Sequence, residues 1–359
     1  MSSLVQAETA TDKENVMLRS IPAGYTSRPA RMDDAEQLVT LFNRCSMELV
    51  GEAVHDVEDL RSEWTTPEFD LERDTRVVVD ETGAPVAYAE VWDLEEPHVQ
   101  VGTWGRVDPA HRGRGIGAAL LAWEEERARM AIARAPSDAR VVQHQGALVS
   151  DRGARELFEK HGFEAVRSFR RMRIEMDVRP DEPVWPDGVT VRSFVPGEDL
   201  EGALRCVRAS FQDHWGHVDS PFEEELKFWE HWTTKDPGFD PAHWHLATTG
   251  DGEVVGVCLG TLKRAEDPSL GWIHVLGVVR EWRHKGVALG LLRHAFRALH
   301  DAGKRKVGLG VDATSLTGAN RLYEKAGMFV QRESISYEKE LRPGRDLSRR
   351  TLDEESGDE

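Results

Sequence analysis

Two short segments of this sequence carry the makings of an anion site. Residues 112–117 read RGRGIG and residues 283–288 read RHKGVA, each an Arg-x-x-Gly-x-small pattern between an apolar run and an amphipathic one. Small residues let backbone approach a ligand closely. A helix that starts there offers unpaired N–H groups and a partial positive charge, so the combination suits a pyrophosphate. A second kind of chemistry sits near the carboxyl end. Tyr323 carries a hydroxyl that stays protonated at neutral pH, because its ordinary pKa is about 10, and it can donate that proton. His274 has an imidazole whose ordinary pKa of about 6.5 suits a base at neutral pH.

These groups must be positioned, and the sequence shows how. Three landmarks recur in order: Arg28 and Arg192, the Arg112 and Arg283 turns, and Phe158 and Tyr323, spaced by 164, 171 and 165 residues. A nearly constant offset marks a tandem repeat. Each copy reads as a strand, a helical stretch, a two-strand hairpin such as RVVVDETG–APVAYAEVW, a strand running into the Arg-Gly turn, and a helix. A further strand and helix follow, the last of these in the second copy starting near Thr317 and ending at Gly327, while Gly303 suits the end of the helix before it. The expected fold is α/β with a mixed sheet, α+β-like, in two domains at 20–178 and 189–341. Residues 1–19 read as a flexible start, RPDEPVWPDG at 179–188 as a linker, and 342–359, ending in TLDEESGDE, as a disordered acidic tail.

The surroundings of the two turns are specific. WGRVDPAHRGRGIGAALL and VLGVVREWRHKGVALGLL resemble the phosphate-binding motif of the GNAT acetyltransferase superfamily, and NRLYEKAGM resembles that family's later helix. The tandem arrangement, with FDPAHWHLATTGDGEVVGV followed by LGWIHVLGV, is similar to the mycothiol-synthase-like group of actinobacteria. The resemblance implies two tandem acyl-CoA N-acyltransferase domains with acetyl-CoA as co-substrate. It implies that backbone amides of Arg283, His284, Lys285, Gly286, Val287 and Ala288 hold the pyrophosphate, that Val278 pairs with the pantetheine arm, and that the sheet splays beside that strand. Arg112, Gly113, Arg114, Gly115, Ile116 and Gly117 form the same cradle in the first copy. Tyr323 takes the family's acid position and Asn320 the neighbouring one. Phe158 and Arg155 stand there in the first copy, so both turns are expected to bind CoA and only the second half to catalyse. Where the family often has a glutamate this chain has Trp272, and His274, two residues on, is the proposed base.

For the acceptor, His214, Trp215 and Trp272 are candidate contacts, in a segment where Trp229 and Trp232 and the acids Glu223 to Glu225 suit an amine. The HWH at 243–245 reads as alternating strand residues, and no metal is expected. Glu124 to Glu126 read as an exposed helix face. Cys45, Cys206 and Cys258 fit no disulfide or metal spacing. A formal charge of −18 argues against a nucleic-acid partner. No apolar run is long enough for a membrane span, and a cytoplasmic monomer or homodimer is expected. The expected activity is N-acetylation of a primary amine on a small molecule. The alternatives are a protein lysine or N-terminal acetyltransferase, or a non-catalytic acyl-CoA-binding module.

Overall fold

The computed structural model describes residues 21–235, 238–262, 267–315 and 318–350. The first copy begins with β1 (Tyr25–Arg28), then α1 (Ala35–Val50), α2 (Val57–Glu63) and the short α3 (Leu71–Asp74). Next come β2 (Thr75–Asp80), β3 (Pro85–Trp92), β4 (Gln100–Val107), α4 (Ile116–Ala128), β5 (Val141–Leu148), α5 (Arg152–Lys160) and β6 (Glu164–Glu175). The second copy repeats the order with β7 (Val189–Ser193), α6 (Leu200–Phe211), α7 (Phe222–Lys235), β8 (Trp244–Thr249) and β9 (Val254–Thr261). It ends with β10 (Leu270–Val278), α8 (Val287–Asp301), β11 (Lys306–Asp312), α9 (Ala319–Lys325) and β12 (Phe329–Arg342).

The arginine landmarks have a structural cause. Arg28 donates two hydrogen bonds to Asp34, at 2.6 and 2.7 Å, and Arg192 donates two to Asp199, at 2.5 and 2.7 Å. Asp34 and Asp199 are the N-cap residues of α1 and α6. In both copies the fork ties the first strand to the first helix, a bidentate geometry that lysine could not reproduce. The hairpins form as expected, with β2 antiparallel to β3 and β8 antiparallel to β9. Gly303, at φ 90°, follows α8, and its neighbour Lys304 donates its N–H back to Leu299. The last helix starts at Ala319; Thr317 lies outside the described residues.

All twelve strands form one sheet in the order β1-β2-β3-β4-β5-β12-β6-β11-β10-β9-β8-β7. The two contiguous units read from the sequence therefore share their last strands. β12, from the second copy, pairs with β5 of the first, and β6, from the first copy, pairs with β11 of the second. β6 and β12 pair with each other at the centre. This reciprocal pairing leaves neither copy with an exposed edge at the join.

The expected tail needs correction over 342–350. Arg345 donates its N–H to Asp138 at 2.7 Å, and Arg140 donates its own to Arg345 at 2.8 Å. Arg342 donates to the Ala139 carbonyl at 2.9 Å, and Arg350 to Glu338 at 3.1 Å. The reason is composition: residues 342–350 hold four arginines, three of which donate from their side chains to carboxylates or carbonyls, and the acidic run begins only at Asp353. Residues 351–359 and 1–20 lie outside the described residues. The connector at 179–188 is docked as well, with Trp185 packed on Gly290 and His294 of α8.

Candidate active site

The site starts from a strand that loses its partner. β10 pairs in parallel with β11 only over Leu270–Ile273, while its pairing with β9 continues to Val278. Beyond Ile273 the two strands part, as the resemblance implied. His274 is the extra residue of a bulge between Ile273 and Val275. The bulge leaves the imidazole exposed on the α6–α7 face, edge-on to Trp232 at 5.5 Å between ring centres. Trp272 shares that face. Its ring lies over Gly308 of β11, where a Cβ would come within 2.5 Å, and under the Arg171 guanidinium at 4.6 Å. His274 and Trp272 thus lie on one face, as the spacing suggested.

Tyr323 lies on the opposite face, in the core between α8 and the sheet with Val278, Val287 and Leu292. Only 7% of it is exposed. Burial raises its hydroxyl well above the ordinary tyrosine value, helped by the nearby Cys258 thiol. The phenol is therefore held protonated. Asn320 donates its amide to the carbonyls of Asp312 (2.8 Å) and Ala313 (3.1 Å), pinning the end of β11 to the start of α9. Its Oδ1 is buried with no partner among the described residues.

The two turns share one backbone path. Gly113 and His284 have φ of 73° and 62°, and Gly115 and Gly286 have φ of 90° and 93°. Each path delivers the chain into a helix, at Ile116 and Val287, whose first amides have no intrahelical acceptor. Around Gly286 a side chain would meet nothing within 4 Å, so backbone is open to a ligand there, which fits a pyrophosphate. The arginines serve the turn itself. Arg283 donates to the Val278 carbonyl (3.2 Å), to Asp213 (2.7 Å) and to the Ser210 carbonyl (3.0 Å). Arg112 likewise donates to the Val107 carbonyl (3.3 Å) and to Glu48 (2.5 Å). Burial pushes Asp213 upward, but the Arg283 and Arg280 guanidiniums outweigh it and hold the carboxyl below its usual range. The sequence reading missed Asp213; its signal was an acid at the end of the first helix in both copies, Glu48 in the last turn of α1 and Asp213 just past α6.

The first half differs where the cofactor arm would enter. β4 and β5 also part, after Gly102 and His144. There Gln145 donates to Glu124 of α4 at 2.6 Å, across the space that the parting opens. Phe158 packs edge-on against the fully buried Tyr337 of β12. Pro22 lies 3.6 Å from where a Gly115 Cβ would stand, and Arg114 donates to Tyr25. Glu124 is therefore not part of an exposed face. It is 1% exposed, and burial raises its carboxyl well above the usual range.

The acceptor candidates separate. His214 stacks on Phe211 at 4.3 Å, and burial followed by the Arg283 charge lowers its pKa. Trp215 turns toward the first half, its ring between Arg167 (5.2 Å) and Arg350 (4.5 Å). Trp229 is core, packed with Trp232 against Trp244. His245 is buried in β8 against His294, and no metal-binding group occurs among the described residues. The three cysteines are buried and free.

Residues 205–328 match the model of the Acetyltransferase (GNAT) family, and residues 72–165 match an Acetyltransferase (GNAT) domain. A mycothiol acetyltransferase of Streptomyces scabiei (strain 87.22) is 32% identical over 265 residues, covering 71% of this chain and 76% of the relative. The chain belongs to the GNAT acetyltransferase family. It is an acetyl-CoA-dependent N-acetyltransferase of small-molecule amines with two GNAT domains in tandem. A GCN5-related N-acetyltransferase from Sphaerobacter thermophilus has a similar structure, with a TM-score of 0.76 and 35% identity, covering 91% of this chain and 99% of that one. A tandem GNAT protein from the clavulanic acid biosynthesis pathway shares the fold, with a TM-score of 0.67 at 15% identity over 89% of this chain and all of that one. No helix among the described residues is long and apolar enough to cross a membrane.

Proposed function

We propose that acetyl transfer takes place in the second half alone, at the gap where β10 leaves β11. The observation that carries this reading is the placement of two opposite functions on two faces of one opening. A protonated phenol, Tyr323, sits on the α8 face, and an exposed imidazole, His274, sits on the α7 face. Amides of His284 to Ala288 hold the pyrophosphate of acetyl-CoA, and the unpaired edge of β10 up to Val278 lines the pantetheine arm. Arg283 acts by bracing the turn, since its guanidinium is committed to Asp213 and two carbonyls and its amide donates to the Arg280 carbonyl.

An alkyl ammonium with a pKa of about 10.4 costs about 4–5 kcal/mol to deprotonate at pH 7, so a base is useful. His274 takes that proton, directly or through water. Tyr323 donates its own to the departing sulfur, and Asn320 keeps the end of β11 in place beside it. Much of the acceleration comes from holding amine and thioester together. The first half contributes scaffold: the Glu124–Gln145 bridge and the Phe158–Tyr337 contact occupy the α4–α5 side of its gap, which supports one acetyl-CoA per chain. The acceptor is a primary amine on a small molecule, and the mycothiol acetyltransferase relatives make a mycothiol-related amine the first to try. Of the acceptor candidates, Trp272 stands on β10 itself, at the paired end of the gap. The test is Tyr323→Phe. Turnover should fall about 100-fold or more while acetyl-CoA affinity stays within about 2-fold. Unchanged turnover would remove Tyr323 from the acid role.

A further inference from the structure

A cleft separate from the second half's gap lies where the two halves meet, with a volume of about 450 Å³ and a second lobe of about 350 Å³. Its floor is the place where β4 and β5 part, at Gly102 and His144, continued by Ser336 of β12. Its walls are Trp92, Phe169 and Phe228, with Trp215 at the side facing the second half. Glu95 lines both lobes, and the second lobe adds Glu96, Glu224 and Glu225. Among the described residues, no lysine or arginine lines either lobe. The cations around it are already paired: Arg208 with Glu225, Lys227 with Glu224, and Arg167 and Arg350, on the faces of Trp215, with Asp312 and Glu338.

We propose that this cleft, built where the second copy's α7 and the segment before it lie over the first copy's strands, is a binding site for a small organic ammonium ion. Three independent features converge on that chemistry. Aromatic faces attract a cation through their quadrupoles, and Phe169, 38% exposed, presents its ring to the opening. Glu95 has no cationic partner among the described residues, and its carboxyl is raised by its surroundings and by Glu225, the shift that a bound cation would reverse. Glu225 is held by Arg208 and Glu224 by Lys227, which leaves Glu95, the carboxylate common to both lobes, with Glu96 beside it in the second. On the floor, the His144 ring nitrogen Nε2 is buried without a partner, and burial keeps the imidazole neutral. A neutral imidazole nitrogen can accept a hydrogen bond from an ammonium N–H.

The site stands apart from the chemistry proposed for Tyr323 and His274. The occupant's chemistry has two sources: the acceptor amine itself on its way to the gap, or a separate effector. Phe169 pairs in register with Asp312 at the end of β11, so the cleft ends one strand away from that gap, about 5 Å.

The experiment uses the full chain and two probes of equal shape, phenethylammonium and 2-phenylethanol, followed by saturation-transfer NMR and calorimetry. The ammonium should bind at least about 10-fold more tightly than the alcohol. Glu95→Gln should erase most of that difference. Phe169→Lys, at an exposed position, should abolish ammonium binding while acetyl-CoA binding is retained, which certifies the fold. Equal binding of the two probes, or ammonium binding untouched by both variants, would overturn the site. A thiol-release assay with acetyl-CoA then separates the sources. Acetylation of phenethylamine with a KM raised by Glu95→Gln and an unchanged kcat supports the acceptor route. Binding without acetylation supports an effector. Ammonium binding in a protein whose turnover ignores Tyr323→Phe would sink the catalytic reading and leave this site standing.

Discussion

Gly286→Ala and Gly115→Ala form a matched pair that separates strain from function. The two glycines have φ of 93° and 90°, and a Cβ at either meets no atom closer than 3.6 Å. Both substitutions therefore act through backbone conformation, at about 1–2 kcal/mol for an L-residue held in the left-handed region. The stability loss in urea should be equal within error. Ligand binding should not be equal. If the second turn relaxes to relieve the strain, one or two amides leave the pyrophosphate. Each charge-assisted hydrogen bond is worth about 1.5–3 kcal/mol, so acetyl-CoA affinity should fall about 10- to 10,000-fold in Gly286→Ala. In Gly115→Ala it should not change, because the first gap is filled by Glu124 and Gln145. Calorimetry reads affinity and stoichiometry together, with one acetyl-CoA expected per chain. Two per chain, or an equal loss of affinity in both variants, would refute the assignment of the working cradle to the second half.

Other outcomes follow from single contacts. Gly308→Ala drives a Cβ to 2.5 Å from the Trp272 ring, so it should cost about 1–3 kcal/mol in stability and raise the acceptor KM with acetyl-CoA affinity preserved; an unchanged KM would remove Trp272 from the acceptor face. Asp213→Asn releases Arg283 and Arg280, and it should weaken acetyl-CoA binding measured by calorimetry, since the turn loses its brace. Glu124 has its folded pKa raised, so the stability present below the unfolded value of about 4.3 is lost as pH climbs through the folded value; Glu124→Gln should flatten that alkaline limb in denaturation curves. His245 is pushed down to about 3 by burial, so the stability present above about 6.5 should be lost as pH falls through that window, and His245→Leu should flatten this acid limb instead.

The sequence by itself carried the repeat, the two turns, and the loss of tyrosine at Phe158. These are local signals: a left-handed turn needs glycine at Gly115 and Gly286, and a helix end needs it at Gly303. The alternation that put Trp272 and His274 on one face held through a bulge, because the extra residue is His274 itself. Tertiary structure decided the rest. Nothing local distinguishes β6 from β12, and the exchange that places them side by side depends on which edges are free once both copies have folded. Glu124 reads as a surface acid in a run of three, and only the distant Gln145 makes its burial tolerable. Arg283 looks like a phosphate ligand until Asp213, 70 residues earlier, claims it. The cleft at Glu95 and His144 exists only because α7 of one copy lies over the strands of the other. Spacing along a chain fixes backbone turns and faces; the partners of a buried charge come from segments far apart in sequence, and only folding brings them together.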